Sequence, residues 1–146
     1  MVDVYIQMKL YYMRYKKLKL MRKIKMSNNR KEQIEALETL VDFNSRLVKN
    51  MSIIVKELSG ERLDDTDAFL DDILKAINWE IQVVNGTIDL INENEIRLDK
   101  AGFNEKVVAL NDAVCEKNDS KMADAFTKII VVFENLGNVA KDVIAQ

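Results

Sequence analysis

The chain has no proline, no histidine, one cysteine, one tryptophan and only four glycines in 146 residues. Each scarcity excludes something. Without proline, no residue locks φ and removes a backbone donor, so long helices meet no obligatory break. Without histidine, the chain lacks the commonest metal ligand and general base near neutral pH, and a Glu-x-x-His di-iron bundle site is ruled out. A single thiol, Cys115, cannot build a disulfide framework and fits a reducing, cytoplasmic compartment. No apolar run reaches eighteen residues, so no single helix is expected to span a bilayer. There is no Gly-rich phosphate loop, no Cys/His metal spacing and no helix-turn-helix signature. No cofactor, no metal and no catalytic residue is expected, and contact is a better reading of the chain than chemistry.

Apolar residues recur at helical spacing from Ile34 to Ile144. In the first segment Ile34, Val41, Val48 and Val55 fall seven apart, as do Leu37, Asn44, Met51 and Leu58, with Leu40, Leu47 and Ile54 beside them. This stripe is wider than a two-stranded coiled-coil seam and suits one helix of a bundle. Ser27, Asn28 or Asn29 can cap it, and Gly60 ends it where a left-handed residue is expected. Asn44, the only polar member of its row, either sets register in the core or faces a turn.

Asp65 or Thr66 can cap a second helix with rows Leu70, Ile77, Val84, Ile91, Leu98 and Leu74, Ile81, Ile88, widened by Ile73. Its pattern can run to Lys100, with Gly102 as a stop. Phe103, Val107, Leu110 and Val114 mark a shorter third helix. Asn118-Asp119-Ser120 breaks it and caps a fourth, which carries Phe126, Ile129, Ile130, Phe133, Leu136, Ala140, Val143 and Ile144. Gly137 marks a kink or a close backbone approach. Short turns between such helices imply antiparallel neighbours. The expected fold is all-α: an antiparallel helical bundle of three long helices plus one shorter helix, over residues 27–146.

Three features invite a chemical reading. Glu32-x-x-Glu35, Glu35-x-x-Glu38 and Glu61-x-x-Asp64 are carboxylates one helical turn apart, a spacing that can hold Mg²⁺ against a polyphosphate. All-α nucleoside triphosphate pyrophosphatases use such pairs on two neighbouring helices, and the arrangement resembles theirs. Here, however, Glu61 and Asp64 follow Gly60 in a turn. The bland alternative is a solvated acidic face with dipole-favoured residues in a first helical turn. The Asp64–Asp72 cluster lacks the spacing and central glycine of a calcium loop. Cys115 has no neighbour in sequence to activate it. Trp79 lies one position off the main rows, where it either anchors a partner or packs at the core's rim.

From Phe69 to Leu136 the chain resembles small helical proteins of low-GC Gram-positive bacteria. The carrying residues are the Leu70–Ile91 helix with Trp79 and Asn85-Gly86-Thr87, then Leu110-Asn111-Asp112-Ala113-Val114 and Met122-Ala123-Asp124-Ala125-Phe126. Size, acidity and amphipathic helices also look like the small cytoplasmic chaperones and adaptors of flagellar or other export systems. These resemblances imply a fold class and a cytoplasmic protein-interaction module without enzymatic activity. Its partner would be another protein or a second copy of the chain, held by an apolar strip left over after bundle closure. Trp79, Leu136, Val139 and Val143 are the candidates for that strip. The competing readings are an Mg²⁺-dependent nucleoside triphosphate pyrophosphatase and a membrane- or nucleic-acid-binding protein working through a basic N-terminal arm.

That arm comes from a charge split hidden in the net charge of −2. Residues 1–31 carry ten Lys/Arg and one acid, whereas residues 32–146 carry twelve Lys/Arg against twenty-three acids. The acidic part is not expected to bind nucleic acid. Residues 1–26 form a basic segment rich in Tyr, Met and Lys, with all four tyrosines and no Ala, Gly, Ser, Thr, Asn or Glu. It is not a secretory signal, because the basic residues follow the apolar stretch. It reads as a basic amphipathic arm or as a non-native or disordered segment preceding a natural start at Met26. The second reading expects mass spectrometry of the natural protein to find no peptide spanning Tyr11–Tyr15; recovery of one would end it.

Overall fold

Deeply buried positions in all three long helices alternate three and four residues apart, and this spacing decides which faces meet. The structure, a computed structural model, describes residues 30–146. The basic segment, Met26 and the caps expected at Ser27–Asn29 lie outside the described residues. Four helices follow in order: α1 (Arg30–Leu58), α2 (Thr66–Ile91), α3 (Lys100–Glu116) and α4 (Asp119–Ile144). They have 29, 26, 17 and 26 residues, an all-α antiparallel bundle of three long helices plus one shorter.

α1 lies at the centre, packed along α4 and against α2, while α3 rests on α4. Its seam is Gln33, Leu37, Leu40, Asn44, Leu47, Met51, Ile54 and Leu58. The row Ile34, Val41, Val48 and Val55 is half-buried and flanks that seam. α4 answers with Met122, Phe126, Ile129, Phe133, Leu136, Ala140 and Val143. α2 presents Thr66, Phe69, Ile73, Ala76, Glu80, Val83, Thr87 and Leu90, with Leu70, Ile77, Val84 and Ile91 beside them. Leu37, Leu40, Ile54, Phe126, Ile129 and Leu136 are fully enclosed. Burying each such side chain contributes roughly 2 kcal/mol relative to leaving it in water.

Helix ends follow local chemistry. Gly60 adopts φ +110°, the left-handed backbone expected after α1. Thr66 opens α2: its hydroxyl accepts from the Leu63 N–H at 2.8 Å and donates to Glu57 Oε1 at 2.7 Å. α2 stops at Ile91, not near Lys100. The reason is Asn92, whose Oδ1 accepts from the N–H groups of Arg97 and Leu98 (2.9 and 3.0 Å) and whose Nδ2 donates to the Leu98 carbonyl (3.1 Å). This loop returns Leu98 to the core without extending the helix. Gly102 is likewise not a stop but lies in the first turn of α3, where an added Cβ would sit 2.7 Å from Asp99 Oδ2. α3 ends instead at Lys117, which takes the left-handed conformation at φ 54°.

Asn118 caps α4 as its sequence position suggests, its side chain accepting from the Lys121 N–H at 3.0 Å. Arg62, in the turn before α2, ties that turn to the start of α4 at the same end of the bundle. Its Nε and Nη2 hold both oxygens of Asp119 (2.6 and 3.0 Å), and Nη1 holds Asp67 (2.9 Å). The hydrogen bond from Arg62 holds the Asp119 carboxyl below the usual range. Replacing Asn118 with Ala is expected to lower stability by about 1 kcal/mol through loss of the cap, measured by urea denaturation followed by circular dichroism.

Candidate functional site

At the middle of the bundle the core contains a polar node that apolar packing does not require. Asn44, at the middle of α1, extends its amide nitrogen to Glu80 Oε1 on α2 at 2.9 Å and to the Phe133 carbonyl of α4 at 3.2 Å. One side chain thereby touches all three long helices. Glu80 is 0 % exposed, and burial pushes its carboxyl up to about 8 although the Asn44 hydrogen bond pulls the other way. Its surroundings therefore favour the protonated, neutral form. Its second oxygen, Oε2, has no hydrogen-bond partner, and neither does the indole Nε1 of adjacent Trp79.

Gly137 supplies the room. A Cβ at this position would fall 2.5 Å from Asn44 Oδ1. Asn44 occupies the space a side chain on α4 would need, so glycine is kept in mid-helix despite its cost of about 1 kcal/mol relative to Ala. Gly137 thus marks the close approach of a side chain, not of a backbone. Other ties fall along the same α1–α2 interface: Arg30 to Glu93 at 2.7 Å, Gln33 Nε2 to the Gly86 carbonyl at 3.1 Å, and Thr66 to Glu57.

The second feature is an open groove. α2 and α3 both border α4 but make no extended contact with each other. Between them lies a channel of about 480 Å³ lined by Leu70 and Leu74 of α2, Val114 of α3 and Met122 of α4. Arg62, Asp67, Asp71 and Lys117 form its rim.

The residues expected on a leftover apolar strip lie elsewhere. Trp79 is 3 % exposed and meets Phe43 edge to face at 6.3 Å; Leu136, Val139 and Val143 are also buried. They form part of the core because the inward seams of α2 and α4 run through them or next to them. Among the described residues, the large apolar side chains that are exposed are Ile53, Leu63, Ile96, Val108 and Val131. Cys115 is exposed. The carboxylate pairs do not converge: Glu32, Glu35 and Glu38 lie at the start of α1, and Glu61 and Asp64 lie beyond its other end, about 35 Å away along the axis. Among the described residues, no group of three or more His, Cys, Asp or Glu side chains is placed to hold a metal ion.

The family described as Domain of unknown function (DUF8042) matches residues 35–138. The chain belongs to this family. The DUF8042 match includes Asn44, Glu80, Phe133 and Gly137, and therefore the whole polar node, as well as every apolar residue of the groove. No curated protein and no solved structure matches the chain. Among the described residues, no helix is long and apolar enough to cross a membrane.

Asn44 and Gly137 should behave as a coupled pair. Gly137→Ala is expected to cost about 1–3 kcal/mol in the wild-type background through overpacking. In an Asn44→Ala background the same change should be neutral or stabilising, because the obstruction is gone and alanine favours helix. Urea denaturation of the four proteins of the cycle measures the difference.

Proposed function

We propose that this bundle is a protein-interaction module that receives an amphipathic helix of a partner protein in the groove between α2 and α3. The observation that carries the reading is the groove itself. The start of α2 and the C-terminal end of α3 stand apart over Met122 of α4, and the apolar Leu70, Leu74, Val114 and Met122 lie beside the charged Arg62, Asp67, Asp71 and Lys117. A helix laid in such a lane would bury one apolar stripe and keep its polar face in water, the usual logic of helix-in-groove recognition. Lys117, beside the Arg62–Asp67 and Lys75–Asp71 ion pairs, would help fix its orientation through complementary charge.

This reading is of a contact protein, not a catalyst, and it agrees with the resemblance to bacterial cytoplasmic chaperones and adaptors of export systems. Nothing in the geometry favours the pyrophosphatase alternative, since its carboxylate pairs stand at opposite ends of α1. The basic-arm alternative concerns residues outside the described part of the chain.

The test is photocrosslinking in the native host with a crosslinking residue at Leu74, at Val114 and, as a control on another face, at Glu134. A partner captured at the two groove positions and not at Glu134, with affinity reduced at least about tenfold by Leu74→Arg, is the expected result. Equal capture at all three positions, or a partner indifferent to Leu74→Arg, would overturn the reading. Capture of a second copy of the chain would replace it with self-association.

A further inference from the structure

Glu80 occupies a position where an ionised carboxylate has almost nothing to stabilise it. It is fully enclosed and receives one hydrogen bond, from Asn44, whose amide nitrogen also serves the Phe133 carbonyl. Its Oε2 has no partner. The surroundings offer no compensating charge. On α1, the residues facing inward next to Asn44 are Leu40, Phe43 and Leu47; on α4 they are Phe133, Leu136, Gly137 and Ala140. On α2 itself, Ala76, Ile77, Val83 and Val84 flank Glu80. Glu57 is the other buried titratable group among the described residues. It sits thirteen positions along α1 from Asn44, about 20 Å away, and is engaged by Thr66. No buried Lys or Arg is present among the described residues.

A buried carboxyl in this state can avoid the cost of an unpaired charge in two ways: it can carry a proton, or it can reach water. Reaching water requires movement of α2, because Glu80 lies on the seam that α2 presses onto α1 and α4. We propose that the Asn44–Glu80 contact is a proton-operated latch: with its proton, Glu80 seats α2 on α1, and with the proton given up to bulk water, α2 loosens. The direction follows from linkage. A carboxyl bound more tightly to its proton in the closed state stabilises that state most at low pH, below the ordinary glutamate value. The contribution is lost as pH rises through the closed-state value near 8. Because α2 is one wall of the α2–α3 groove, the latch also sets the groove's width. That consequence rests on the proposed function, but the latch does not.

Hydrogen exchange of α2 backbone amides in the full chain, corrected for intrinsic base catalysis, tests the proposal. Between pH 5.5 and 7.5 the opening equilibrium should rise about tenfold per pH unit in the wild type and stay flat in Glu80→Gln. Parallel profiles in the two proteins, or a flat wild-type profile, would overturn it. Should Glu80→Gln not fold, carboxyl ¹³C titration of the wild-type protein decides the matter alone. One glutamate titrating far above the others is the expected result; all glutamates titrating in the ordinary acid range would refute the latch. A partner that still binds in the groove after such a refutation would leave the proposed function intact.

Discussion

The bundle is organised around the amide nitrogen of Asn44. Its two hydrogen bonds, to Glu80 and to the Phe133 carbonyl, reach from α1 to both other long helices in the interior. Apolar seams spaced at three and four residues would tolerate a slide of one helix past another by a heptad, because leucine replaces leucine. A polar pair cannot slide without leaving both groups unpaired in the core. The glycine opposite Asn44 makes the constraint steric as well: only at position 137 does α4 leave space for the side chain. Hydrophobic burial supplies the bulk of the stability, and this contact selects one alignment among those that burial alone would accept.

Much of this architecture is legible in the residues, because amphipathic periodicity reports burial directly. The boundaries at Gly60 and Asn118 follow from backbone chemistry that glycine and asparagine carry with them. Two boundaries are not readable in this way. The end of α2 depends on Asn92 folding its side chain onto Arg97 and Leu98, a contact across a loop. Gly102 looks like a terminator in sequence but starts a helix in space, where Asp99 crowds it.

The candidate site was harder to read for a related reason. The true seam of α2 contains Thr66, Glu80 and Thr87, so unbroken apolar rows point to the neighbouring Leu70–Ile91 row and pass over Glu80. A signal was present. Glu80 falls in step with Phe69, Ile73, Ala76, Val83 and Leu90, and Asn44 falls in step with Leu37 and Met51. Two polar interruptions at the middle of two facing seams are what a buried pair looks like in one dimension. The groove left no such trace, because it depends on the distance between α2 and α3, and no residue pattern encodes a gap. For the same reason Trp79, Leu136, Val139 and Val143, expected on a leftover apolar strip, are core residues instead.

The seating of α3 is shallow. Phe103, Leu110 and Ala113 are its only buried residues, against ten or more in each of the other helices, and Phe103 stacks on Phe133 at 5.6 Å. A helix held by one narrow stripe has a low free energy of local detachment. One wall of the groove therefore belongs to the helix with the fewest anchors in the core.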